Sequence, residues 1–216
     1  MCKSEVVGII TFSVWVSGFF CNGSHASILH FLGAYYSFIT LHDASHKVSS
    51  VWFGRLCAIP LGIPFDEFSI LHRRHHRFVN DKVLDPDYVM QELHPIFWLF
   101  APEIYLYHFT SRKIGLSRRE RTGGIIRYGL IIASYVILFF TLGFEWVIVH
   151  LLGPSRLAFM LLVYLLDVLP HRNLGEGETR DLWSEKTAPL WLQVLTQKQC
   201  YHNRHHARPY IRTLEL

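Results

Sequence analysis

Apolar residues run through this chain in blocks that can be measured against a bilayer, which a helix crosses with about 20 mostly apolar residues. Residues 6–20 form one such block, slightly short, and Asn22-Gly23-Ser24 then reads as a turn. Residues 26–41 run back as a second block. The strongest run covers 128–149 and is interrupted only by Gly143 and Glu145. Gly153-Pro154 punctuates another turn, after which 157–169 returns. Two further runs, 51–65 and 95–107, contain Pro and charge and suit helices lying in the membrane interface. The expected fold is an all-α membrane protein, one domain over 1–216. Four transmembrane helices form two hairpins, and a cytoplasmic helical cap carries the polar remainder.

Composition and charge support this reading independently. Half of the 216 residues are hydrophobic and 18% are charged, against roughly 25% in a soluble domain. Lys and Arg gather in cytoplasmic loops. Of the 21 here, twelve lie between His42 and Arg127, seven follow Pro170 and one is Lys3, which leaves Arg156 alone on the far side. The chain is therefore expected to be an integral, multi-pass protein. A net charge of +4 sorted in this way offers no concentrated basic face for nucleic acid. The basic run Arg112–Arg121 reads as a loop against anionic headgroups, or as a dock for an acidic electron carrier. Cys2, Cys21, Cys57 and Cys200 show neither CxxC pairs nor a disulfide framework.

Eight of the fourteen histidines fall into three tight boxes: His42/His46, His72/His75/His76 and His202/His205/His206. On a helix, residues three and four apart share a face, so HxxxH and HxxHH aim their imidazoles one way. Imidazole is the commonest metal ligand near neutral pH. The same topology puts all three boxes on the cytoplasmic face. Eight imidazoles exceed one tetrahedral zinc and suit two metals. A redox-active pair beside a bilayer could activate O2 against a lipid C–H bond. Bound zinc in an intramembrane hydrolase, or a metal-binding membrane protein without catalysis, would use the same residue types. Asp43, Asp85 and Asp87 are candidates to hold ligand N–H groups, although Asp85-Pro86-Asp87 also reads as a polar turn. Asp167, inside an apolar run, calls for a partner such as Arg172 or Arg180. His171, after a Pro at a helix end, is either a ligand or a cap.

These boxes resemble those of the membrane di-iron fatty acid desaturase/hydroxylase superfamily. The stretch from His72 to Asp87, the Leu169-Pro170-His171-Arg172 stretch with Thr179-Arg180 beyond it, and the run from Gln199 to Pro209 are similar to the cyanobacterial-type beta-carotene hydroxylase branch. The resemblance implies nine ligands: His42, His46, His72, His75, His76, His171, His202, His205 and His206. It further implies two Fe ions, O2 as co-substrate, and electrons from a carrier such as ferredoxin. The lipid-soluble substrate would be a carotenoid, hydroxylated on its ring. A fatty-acyl desaturase or hydroxylase and a carotenoid ketolase use the same boxes. Lys47-Val48-Ser49 departs from the branch, which often carries a further His there.

Overall fold

The computed structural model describes residues 1–111, 116–184 and 187–216. Among them the secondary structure is entirely helical. Helix α1 (Lys3–Ser17) is followed by α2 (Gly23–Ser45), and the two pack against each other as a hairpin. Short helices α3 (Val51–Ala58) and α4 (Phe65–Arg77) then lead to α5 (Tyr88–Glu92). A 3-10 turn, Pro95–Phe100, opens into α6 (Ala101–Thr110). The second hairpin pairs α7 (Arg118–Leu142) with α8 (Phe144–Val168). Two short helices close the fold, α9 (Leu190–Leu195) and α10 (His202–Ala207). Arg112 and Lys113 of the basic run lie outside the described residues, while Arg118, Arg119 and Arg121 belong to the first turns of α7.

Local chemistry accounts for several of these boundaries. Ser117 and Glu120 form a reciprocal capping box that starts α7, with Glu120 N donating to Ser117 Oγ at 3.2 Å and Ser117 N to Glu120 Oε2 at 2.8 Å. Helix α4 carries Asp66 and Glu67 in its first turn and Arg74 to Arg77 in its last, matching the helix dipole at both ends.

The second hairpin turns ten residues earlier than the sequence pattern predicts. The apolar run 128–149 divides at Gly143, whose φ of +88° suits only glycine without strain. Gly153-Pro154 ends nothing; it lies inside α8. A proline clashes with the carbonyl four residues before it. Here the preceding turns, Val147–Leu152, widen to π-helical geometry and so absorb Pro154. Arg156 consequently sits within a helix rather than at an exposed turn. Its guanidinium donates to both oxygens of Glu103 on α6, with Nη1 at 2.8 Å, and Tyr128 on α7 donates to the same carboxylate at 2.6 Å.

Among the described residues, three helices are long and apolar enough to cross a membrane: Lys3–Phe20, α7 and α8. Helix α2 is comparable in length but occupies the centre of the bundle, between α1, α3, α4 and α8. Its C-terminal half buries polar groups, Ser37, Thr40, His42, Asp43 and Ser45, beside Phe38 and Leu41. Helix α7 is the opposite case. Only Gly124 and Tyr128 are buried, and Leu130, Ile137 and Phe140 stand out with Phe140 88% exposed. So much bare apolar surface on one helix requires a lipid or protein cover.

Candidate metal centre

The three histidine boxes converge where the end of α2, the end of α4 and α10 meet. Their imidazoles sort into two groups. His42, His46, His72, His76 and His205 form one, and His75, His171, His202 and His206 form the other. Within each group the donor atoms lie within 4.8 Å of one another. The groups adjoin, since the rings of His76 and His206 stack at 4.1 Å.

The sorting follows helix geometry rather than box membership. On α4, His72 and His76 lie one turn apart and face the first group, with Nε2 atoms 3.2 Å apart, while His75 faces the second. On α10, His202 and His206 pair at 3.0 Å in the second group, while His205 reaches back to His42 and His76 at 3.1 and 3.0 Å. His171, just beyond α8, meets His202 at 2.7 Å. His46 meets His72 at 2.9 Å, and His75 meets His206 at 3.3 Å.

All these approaches are between Nε2 atoms, so the groups point lone pairs at shared centres. Two imidazole nitrogens bound to one cation at about 2.0–2.1 Å and at right angles stand about 3 Å apart. The donor set therefore fits a pair of cations in size as well as in chemistry. Burial favours the neutral form of seven of these imidazoles. It holds His46 and His171 down to about 2, and it pushes His72, His76, His202, His205 and His206 below the ordinary histidine range, with neighbouring imidazoles adding to the effect. His75 is the exception. Burial pulls it down too, but Asp85 and Asp87 outweigh that and raise it to about 9.

The chain matches the fatty acid desaturase family over residues 13–216. It belongs to that family. No curated protein and no solved structure matches it significantly.

In this desaturase-family site the candidate supporting residues hold different positions. Asp85 accepts from His75 Nδ1 at 2.9 Å and is fixed by the backbone N–H groups of Asn80 and Asp87 at 2.8 and 2.9 Å. The turn reading and the supporting reading of Asp85-Pro86-Asp87 thus describe the same residues. Asp87 lies 3.4 Å from His75 Nδ1. Burial raises its carboxyl well above the usual range against the pull of His75. Asp43 does not hold an imidazole directly. It is 3.8 Å from His42 Nδ1, and Thr213 stands between them.

Asp167 finds neither Arg172 nor Arg180. Tyr105 on α6 donates to its Oδ2 at 2.8 Å. Arg180 instead donates to the carbonyls of Leu169 and Arg172, at 3.0 and 2.8 Å, and its own N–H donates to Pro170 O at 3.1 Å. The end of α8 leaves carbonyls unpaired, and an arginine satisfies them. Arg180 thereby wraps the turn that carries His171. Tyr105 and Thr213 carried no signal in the sequence, the first inside an apolar run and the second in a short segment of mixed apolar and charged residues.

An apolar cleft reaches this centre. Its cavity volume is about 50 Å3, within an envelope of about 700 Å3 that runs out to its open mouth. It is a narrow slot. Phe38, Phe68, Leu106, Phe159 and Leu166 wall it, and its polar lining includes His72, Asp87, Tyr105 and Asp167.

Proposed function

We propose that this protein is a di-iron oxidoreductase that uses O2 to attack a C–H bond of a membrane-dissolved lipid, and that the lipid is a carotenoid hydroxylated on its ring. The observation that carries the reading is the apolar cleft bordered by His72, one of the five converging imidazoles. Family membership supports the reaction class. The five-histidine group would hold one iron and the four-histidine group the other. Bound there, the irons supply the oxidising chemistry that no side chain possesses.

The protein's own residues do the rest. Phe68, Leu106 and Leu166 exclude water and orient an apolar chain past His72. Asp85 holds His75 with Nδ1 protonated and Nε2 free. Two hairpins, α1/α2 and α7/α8, would cross the bilayer four times, with the histidine boxes on the cytoplasmic side. All but Arg156 of the 21 Lys and Arg residues then lie on that side. A small acidic electron carrier, such as a ferredoxin, would dock against that basic face.

The carotenoid assignment rests on the resemblance of His72 to Asp87 and of Leu169 to Arg172 to the hydroxylase branch. A second reading, oxidation of a fatty-acyl chain, is favoured by the narrowness of the slot, which suits an unbranched chain better than a ring. Pigment and acyl-chain analysis in a host that accumulates beta-carotene separates them. Hydroxylated pigments support the first reading; unchanged pigments with altered acyl chains overturn it in favour of the second. Bound zinc, with a reaction that survives without O2, would overturn both.

A further inference from the structure

We propose that Thr213 is a positioning residue for the five-imidazole group, orienting His42 by relaying to it the charge of Asp43. The inference rests on the metal-binding reading of that group.

Thr213 is 1% exposed and lies between two other buried groups, His42 and Asp43. Its Oγ1 is 2.6 Å from Asp43 Oδ1 and 3.1 Å from His42 Nδ1. A hydroxyl has one proton to give. The carboxylate is an acceptor, so that proton goes to Asp43, and the hydroxyl oxygen is left to accept. His42 must then donate through Nδ1–H. That fixes the tautomer and leaves a bare lone pair on Nε2, the atom that faces His205 Nε2 at 3.1 Å. Thr213 also donates its backbone N–H to Asp43 Oδ1 at 2.9 Å, so carboxylate and hydroxyl are held in one geometry.

The arrangement parallels the other group. There, His75 gives its Nδ1–H to Asp85 directly. Each imidazole group thus contains one ring tied to a carboxylate, and in the first group a hydroxyl is interposed. Four other rings, those of His76, His171, His202 and His205, have an Nδ1 without a hydrogen-bond partner among the described residues. The tie at His42 is therefore a specific feature, not a property of every ring.

The segment carrying Thr213 is itself anchored. Arg212 Nε donates to Val48 O at 3.2 Å, just past the end of α2, and Lys198 Nζ donates to Leu214 O at 2.8 Å. These bonds fold the segment back over the end of α2, where His42 and Asp43 sit.

The test compares Thr213→Val, which keeps the shape and removes the hydroxyl, with Thr213→Ser, which keeps the hydroxyl. Full-length protein in detergent is loaded with Fe(II). Iron per chain, the rate of iron release to a chelator and the thermal unfolding of the metal-free form are then measured. Loss of such a support costs about 10–100-fold in metal affinity. The expected result is that the Val variant releases one of two irons at least about 10-fold faster. The Ser variant should behave as wild type. The Val variant should keep its second iron as wild type does. Metal-free, it should unfold in the same single transition at a slightly lower midpoint, as the loss of one buried hydroxyl requires. Equal iron retention by the Val variant overturns the proposal. So does loss of both irons with lowered metal-free stability, which would make Thr213 a support of the fold. Wild type that takes up no iron would instead sink the metal-binding reading itself.

Discussion

Asp85 carries more of the site than any other single carboxylate. It is 4% exposed, holds His75 at 2.9 Å and is itself held by two backbone N–H groups. Asp85→Asn keeps the shape and removes the charge that favours Nδ1–H on His75. Iron bound by the four-histidine group should weaken about 10–100-fold, read by chelator competition, while helix content stays unchanged. Equal affinity in the variant would contradict a supporting role. Metal removal exposes a second residue-scale property. His46 and His171 titrate at about 2 when folded and near 6.5 when unfolded. Between those values the unfolded chain binds protons that the folded chain refuses, so stability falls as pH drops below 6.5. Each such imidazole contributes up to about 1.4 kcal/mol per pH unit. His75 works oppositely: its contribution is complete below 6.5 and disappears as pH rises through about 9. Metal-free protein should therefore unfold at progressively lower temperature from about pH 7 to about pH 5, and a flat profile would refute this. The spacing of the boxes made the shared faces of His42/His46 and His72/His76 legible in the sequence. The single aim it predicted for each HxxHH box does not hold: His75 and His205 part from their neighbours, because that depends on how three helices approach one another. Thr213 left no trace at all, since a lone threonine in a short segment of mixed character matches any surface position.

At the scale of helices, Gly33 is where the backbones of α1 and α2 approach too closely for any side chain to stand between them. A Cβ at Gly33 would lie 2.5 Å from Trp15 Cβ and 2.8 Å from its backbone N and Cα. Backbone cannot give way as a flexible side chain can, so α1 would have to move off α2. Gly33→Val should cost about 1–3 kcal/mol by overpacking, seen as a lower unfolding midpoint in detergent; an unchanged midpoint would refute the close approach. The apolar blocks anticipated helices over most of α1, α2, α7 and α8. They misjudged the second turn because Gly153-Pro154 is a stronger local punctuation than a lone Gly143. What decided the outcome was the capacity of α8 to widen ahead of Pro154, a tertiary adjustment invisible to local pattern. Arg156 moved with it, from an expected surface position to a half-buried pairing with Glu103 inside the bundle. The reading of α2 as an ordinary apolar span missed its centrality. Its buried Ser37, Thr40 and Asp43 lower its hydropathy because they face protein rather than lipid.

For the molecule as a whole, the bundle brings two features together: an imidazole cluster whose donors fit metal and an apolar slot that borders it. They share His72, yet they are built from different residues and can be separated by mutation. Leu106 on α6 lines the slot, is only half-buried and belongs to neither imidazole group. A larger side chain there adds its bulk to the slot and to neither imidazole group. A slot with a cavity volume of about 50 Å3 has little tolerance for added bulk. Leu106→Trp should therefore lower turnover of the lipid at least about 10-fold while leaving iron content, and the rate of its release to a chelator, at wild-type values. If the slot guides the substrate, the loss should also depend on substrate width, falling harder on a ring-bearing polyene than on a straight acyl chain. Equal turnover of both by the variant would mean that the lipid reaches the imidazole cluster by another route, and the assignment of this slot would fail even though the metal centre stood.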